Sequence, residues 1–217
     1  MGAGLIIAGG RSTRFDDRDK AVADLAGTLM IRRVADRIGS VVDELVVNCR
    51  AEQVDAIETA LASADFTPQF APDEQPDNGP MAGIATGLGA VDAEYAFVVA
   101  CDMPFVDPGF VEFLFERASG YDAAVPRPGE WFQTTQAVYR AGPMAAACEA
   151  ALDRGEGRIV EPLFDLDYVV VDREEILAHT TLETFENLNT REESGARAVT
   201  PGPVRTALQR PRTPRAC

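Results

Sequence analysis

The chain alternates short apolar runs with stretches of helical spacing. Residues 4–8 form an apolar run that ends in Gly9 and Gly10. Across residues 29–38 the apolar positions Ile31, Val34, Ala35 and Ile38 recur at three- and four-residue intervals, the period of one helix face. Residues 45–48 read as a second strand, followed by a helix over 51–63 and a third strand over 66–71. Pro80 suits the first turn of a helix running to about residue 90, where its missing N–H has no intrahelical partner to lose. Residues 95–100 are apolar without interruption, as expected of a strand covered on both faces of a parallel sheet. A helix over 108–117, strands over 121–126 and 134–139, an alanine-rich helix over 143–152 and a late strand over 168–171 complete the pattern. This alternation predicts an α/β sheet with helices on both faces. Ligands in such sheets sit beyond the C-terminal ends of the strands, so the loops after Ala8, Asn48, Ala71 and Ala100 are expected to share one cleft.

A length of 217 residues with 46% hydrophobic positions suits one domain that buries a core without disulfides or a structural metal. No apolar stretch reaches the roughly 18 residues of a spanning helix, so no membrane association is expected. The first apolar run is too short for a signal peptide and has no basic residue before it, which predicts a cytoplasmic protein. Lys and Arg number 20 against 35 Asp and Glu, a net charge of −15 that repels nucleic acid backbones. Lys20 is the sole lysine; the other 19 cations are arginine. Such a balance suits a halophilic protein in a salt-rich cytosol, where self-repulsion is screened, and a GC-rich genome would also favour arginine. Either way, one surviving lysine asks for a reason. Cys49, Cys101, Cys148 and Cys217 form no CxxC pair, and His179, in a loop-like stretch, reads as a surface residue. That argues against zinc and makes the cysteines small buried apolar residues. Residues 195–217 hold five arginines, four prolines and no acid, and read as a flexible basic tail beyond a domain of 1–194.

Candidate chemistry lies in the loops. After the first strand, Ala8-Gly9-Gly10 leads to Arg14 and Lys20. Paired glycines let backbone N–H groups approach a phosphate, and a lysine ammonium is a compact charge to set against it. The spacing is neither GxGxxG nor GxxxxGK[ST]. Asp102 follows the central apolar strand, where a carboxylate could bind Mg²⁺ or cap the turn before Pro104. Asp73 lies in an acidic loop that also contains Asp77, and Asn48 ends the second strand.

These residues carry a resemblance. Leu5-Ile6-Ile7-Ala8-Gly9-Gly10-Arg11-Ser12-Thr13-Arg14-Phe15 with Asp19-Lys20-Ala21 resembles the LAGGxSxRMGxDK signature of nucleotidyltransferases, closest to the molybdenum cofactor guanylyltransferase (MobA) family. Val46-Val47-Asn48, Asp73, Gly79-Pro80-Met81-Ala82-Gly83 and Ala100-Cys101-Asp102-Met103-Pro104-Phe105 continue the match in order, and it extends over about residues 3–193. The resemblance implies a three-layer α/β/α sandwich with a mostly parallel, Rossmann-like sheet of the nucleotide-diphospho-sugar transferase type. It implies transfer of GMP from GTP to molybdopterin cofactor, with release of pyrophosphate. The resemblance further implies catalytic positions for Arg14, Lys20 and Asp102, Mg²⁺ (or Mn²⁺) on Asp102, and nucleotide contacts for Ile7, Ala8, Gly9, Gly10, Lys20, Asn48, Asp73, Gly79 and Asp102. Asp77 is a rival to Asp73. The implied partners are GTP, molybdopterin cofactor and, transiently, other proteins of that pathway. Sister readings are guanylyl transfer to cobinamide phosphate or phospholactate, cytidylyl transfer, and a nucleotide-binding protein without turnover; Lys20 and Asp102 together argue against the last. Two positions depart from the family pattern: Asp16 stands where a glycine is expected, and Gln133 to Gln136 stand where relatives often carry a histidine. Trp131 could stack on a pterin or cap the core, and Asn187 and Asn189 resemble a late motif on the acceptor side or a turn cap.

Overall fold

Five strands up to Pro72 set the frame: β1 (Ala3–Ile7), β2 (Asp24–Leu25), β3 (Thr28–Leu29), β4 (Glu44–Cys49) and β5 (Gln69–Pro72). They are followed by β6 (Tyr95–Ala100), β7 (Ala123–Arg127), β8 (Gln136–Arg140) and β9 (Tyr168–Asp172). The helices are α1 (Met30–Ile38), α2 (Val54–Leu61), α3 (Gly79–Gly89), α4 (Pro108–Ala118), α5 (Ala141–Asp153), α6 (Val160–Leu163) and α7 (Arg173–His179). The structure is a computed structural model and describes residues 2–10, 20–73 and 79–188. The expected tail over 195–217 and residues Arg14, Asp77 and Asn189 lie outside the described residues.

Seven strands form one sheet in the order β5-β4-β1-β6-β8-β7-β9, and β2 with β3 makes a separate hairpin. The pairs β1–β4, β1–β6, β4–β5 and β7–β9 are parallel, while β8 runs antiparallel to both β6 and β7. The sheet is therefore the expected mostly parallel one. The central run Tyr95–Ala100 has one parallel and one antiparallel neighbour rather than two parallel ones.

Side chains alternate across each strand and feed two cores. Ile6, Val47, Phe97 and Val99 pack with α1, α2 and α4 on one face. Leu5, Ile7, Val46 and Val98 pack with α3 and α5 on the other. Two covered faces explain why β1 and β6 read as unbroken apolar runs. The buried positions of α1 are Met30, Ile31, Val34, Ala35 and Ile38, the expected stripe with one residue added. The region over 51–63 divides into a 3₁₀ turn, Ala51–Gln53, and α2. The third strand starts at Gln69, after Pro68 and not at Phe66; proline has no N–H for the sheet ladder. Phe66 packs instead against the core on the α1 side.

Register decides where the site falls. Ile7 stands beside Asn48 on one side and Ala100 on the other, and Asn48 stands beside Ala71. The four strand ends named from the sequence are therefore level, and the loops that follow them meet at one edge.

Candidate active site

The chain leaves β1 through Ala8, whose N–H donates to the Asn48 carbonyl at 2.8 Å. On the other side the Cys101 N–H donates to the Ile7 carbonyl at 3.0 Å. Ile7 and Ala8 are buried, Gly9 is half-buried and Gly10 is exposed. A side chain at Gly9 would place its Cβ 2.6 Å from Asp73 Oδ2, so only glycine fits there without displacing Asp73. Among the described residues, no atom lies within 4 Å of a Cβ at Gly10.

Lys20 and Asp102, 82 positions apart, meet across this edge with Nζ 2.5 Å from Oδ2. Their side chains are 16% and 17% exposed, so the pair is shielded but can be reached. Asp102 is fixed from behind, where its carbonyl accepts the Leu188 N–H at 2.9 Å. Leu25, Met30 and Leu188, with Phe105 against them, form a small apolar cluster that ties the hairpin to this late segment.

The second pair is Asn48 and Asp73. Asn48 is fully buried, and its Nδ2 donates to the Ala71 carbonyl at 3.0 Å and to Asp73 Oδ1 at 2.7 Å. Turning the amide would face its oxygen toward a carbonyl and a carboxylate, so these partners fix its orientation. Asn48 Oδ1 is buried and has no hydrogen-bond partner among the described residues. Across from it lies Gly83, where a Cβ would sit 2.4 Å from that oxygen. The second glycine of Gly-Pro-Met-Ala-Gly is therefore the contact of α3 with Asn48. The first, Gly79, is exposed at φ +78°, a backbone shape glycine adopts without strain.

Of the residues expected to form the site, the structure brings together Ile7, Ala8, Gly9, Gly10, Asn48 and Asp73 on one side and Lys20 with Asp102 on the other. Gly79 opens the helix whose fifth residue touches Asn48. Asn187 is exposed, beside the buried Leu188. Trp131 is 77% exposed, so it does not cap the core; Phe132 next to it packs against the α5-side core. His179 is not in a loop: it is the exposed last residue of α7 and stacks on Phe113 at 3.7 Å. Cys49, Cys101 and Cys148 are buried, as expected.

Three residues escaped the sequence reading, and a fourth, Gln136, entered it only within the stretch that departs from the family pattern. Arg50 and Gln53 hold the carbonyls of the glycine loop. Gln136 and Thr184, both buried, brace the far side, where Thr184 Oγ1 accepts the Gln136 side-chain N–H at 2.9 Å and the Asp107 backbone N–H at 3.0 Å. Polar side chains at the end of a buried strand were the available signal for Gln136. No local signal marked Thr184.

A family model described as the MobA-like NTP transferase domain matches residues 4–194. The chain belongs to this family. A relative from Natronomonas pharaonis named "Probable molybdenum cofactor guanylyltransferase" is 53% identical over 190 residues, covering 88% of this chain and 93% of that one. A protein of the same name from Haloferax mediterranei is 41% identical over 188 residues, covering 87% and 89%. Among solved structures, molybdopterin-guanine dinucleotide biosynthesis protein A from Archaeoglobus fulgidus matches with a TM-score of 0.72 at 26% identity, over 90% of this chain and 96% of that one. In this MobA-like domain no described helix is long and apolar enough to cross a membrane.

Proposed function

We propose that this protein transfers GMP from GTP to molybdopterin cofactor, forming the guanine dinucleotide cofactor and releasing pyrophosphate. The observation that carries the reading is the Lys20–Asp102 pair at 2.5 Å beside the glycine loop, with the Asn48–Asp73 pair two strands away on the same edge. A phosphate oxygen of the acceptor attacks the α-phosphorus as the bond to the leaving pyrophosphate breaks. That oxygen is already ionised near neutral pH, so no general base is required. The protein supplies positioning and charge neutralisation. Lys20, with Arg14 from the same loop, stabilises charge growing toward pyrophosphate, and the N–H groups of the glycine loop hold phosphate oxygens. Asp73 offers carboxylate acceptors to the N1–H and N2–H₂ edge of guanine, with Asn48 holding Asp73 in place.

The donor set fits magnesium. Asp102 offers a hard, shielded carboxylate at a strand end, and among the described residues no cluster of three or more His, Cys, Asp or Glu could form a metal cage. Mg²⁺ commonly takes one or two protein carboxylates and completes its shell with phosphates and water. Asp102 would hold it, and when bound it neutralises charge on the phosphate oxygens.

The test is pyrophosphate release, scanned over GTP, CTP and ATP against molybdopterin and other phosphorylated acceptors, in high salt to screen the −15 charge. GTP with molybdopterin is expected to give the fastest release. Faster turnover of CTP, or of cobinamide phosphate or phospholactate, would move the protein to a sister activity. We place the enzyme in the cytoplasm, where contacts with other proteins of the pathway would be transient.

A further inference from the structure

The turn after β4 is built against the glycine loop. The Arg50 backbone N–H donates to Gln53 Oε1 at 2.8 Å, which fixes the buried Gln53 side chain. Gln53 Nε2 then donates to the Ala8 carbonyl at 3.0 Å. Arg50 Nη1 donates to the Gly9 carbonyl at 2.9 Å and to the Gly10 carbonyl at 3.3 Å. Three consecutive loop carbonyls are thus drawn toward one turn, some 40 positions along the chain.

Across a trans peptide, the carbonyl of one residue and the N–H of the next point in opposite directions, and the described chain has no cis bonds. Holding the Ala8 and Gly9 carbonyls therefore aims the Gly9 and Gly10 N–H groups away from Arg50 and Gln53. Arg50 is itself occupied, with Nε 2.8 Å from Glu52 Oε1 and its side chain 14% exposed. Its planar fork can serve a carboxylate and two carbonyls at once, which an ammonium cannot do with the same geometry.

We infer that Arg50 and Gln53 are positioning residues that preset the N–H groups of the glycine loop for phosphate. The inference rests on the reading of residues 8–10 as the phosphate-binding turn, and it assigns the two side chains a role without contact to substrate. Inorganic pyrophosphate is the probe, because it needs neither the right base nor the right acceptor. Its affinity, and that of guanosine by competition, would be titrated for wild type, Arg50→Met, Gln53→Met and Arg50→Lys. Both methionine variants are expected to lose about tenfold or more for pyrophosphate, the equivalent of a lost hydrogen bond to the loop, and to hold guanosine within about twofold. Arg50→Lys keeps the charge and one donor and is expected to fall between; it also serves if Arg50→Met does not fold.

Parallel loss of guanosine and pyrophosphate would mean general loosening and would overturn the inference. So would full pyrophosphate affinity in both Arg50→Lys and Gln53→Met, since charge alone would then account for Arg50. A wild-type protein that binds pyrophosphate but does not turn over GTP removes the proposed activity and leaves the positioning role standing. A wild type that does not bind pyrophosphate removes both.

Discussion

Replacing Gly83 with alanine adds one methyl group inside α3, and two opposed effects follow. Alanine is the better helix former, a gain of about 0.5–1 kcal/mol. Against this, the new Cβ lies 2.4 Å from Asn48 Oδ1, where a relaxed carbon–oxygen contact is about 3.3 Å. Something must retreat by close to an ångström. The helix resists, because Met81 and Ile84 beside the site are almost fully buried against the sheet. The Asn48 amide resists too, through its bonds of 3.0 Å to the Ala71 carbonyl and 2.7 Å to Asp73. Stretching both past hydrogen-bond range costs roughly 1 kcal/mol for the neutral bond and 1.5–3 for the one to the carboxylate. The clash therefore wins, with a net loss of about 1.5–3.5 kcal/mol, or roughly 3–14 °C in Tm for a chain of this size.

The assay is thermal unfolding of Gly83→Ala beside Gly89→Ala, at the exposed end of the same helix, where a Cβ meets nothing. Gly89→Ala is expected to stay within about 0.5 kcal/mol of wild type or gain slightly. A double-variant cycle with Asn48→Ala isolates the contact: once the amide is gone, Gly83→Ala should cost nothing or stabilise. Equal stability of Gly83→Ala and Gly89→Ala in the wild-type background would refute the reasoning. An unchanged cost after Asn48→Ala would place the strain elsewhere.

Lys20→Ala should lower turnover by about 10²–10³ while the unfolding midpoint moves little; near-wild-type pyrophosphate release would remove Lys20 from the chemistry. Asp102→Asn should lose activity and shift the magnesium dependence more than Asp73→Asn does, and titration of the two variants decides it; an unchanged magnesium optimum in Asp102→Asn would refute the ligand role. Ending the chain after residue 194, where the family match stops, should leave stability within about 1 kcal/mol and turnover intact, checked by denaturant unfolding and steady-state rates. Burial, with a smaller push from Glu149, raises the Cys148 thiol from its ordinary 9.0 to about 12. Because the folded value lies above the unfolded one, this contribution is full below pH 9 and is lost as pH rises toward 12, by about 1.4 kcal/mol per unit. Tm measured against pH should show a steeper alkaline limb in wild type than in Cys148→Ala.

Where the sequence was legible, one physical cause dominated locally. Tyr95–Ala100 lies between two helix layers, so each of its side chains had to be compatible with a core, and the strand was readable to the residue. α1 was readable because one face carries nearly all its buried residues. The hairpin of β2 and β3 was not, since its turn is Ala26-Gly27 with φ of 54° and 80°. Hairpin turns of this hand normally advertise themselves by Asn-Gly or Asp-Gly, and alanine carries no such signal. α7 has one buried position, Ile176, too few for a period, although Asp172 and Glu175 spell the capping box that starts it.

The site divides along the same line. Asn48, Asp73 and Asp102 were readable because each stands just past or at a strand end, and strand ends are brought level by the parallel register. Arg50 was one of 19 arginines, and its role arises only when the chain returns it to Gly9. Lys20 is the contrary case, in which composition alone pointed to geometry. At 2.5 Å its ammonium meets a single oxygen of Asp102 in a site where both side chains are more than four-fifths shielded. A guanidinium there would bring five N–H donors in place of three, and any left without acceptors in a shielded site would carry a desolvation cost. On an exposed surface that cost vanishes, because water accepts the extra donors. The same physics therefore allows arginine at the exposed positions of this acidic chain and favours lysine at position 20.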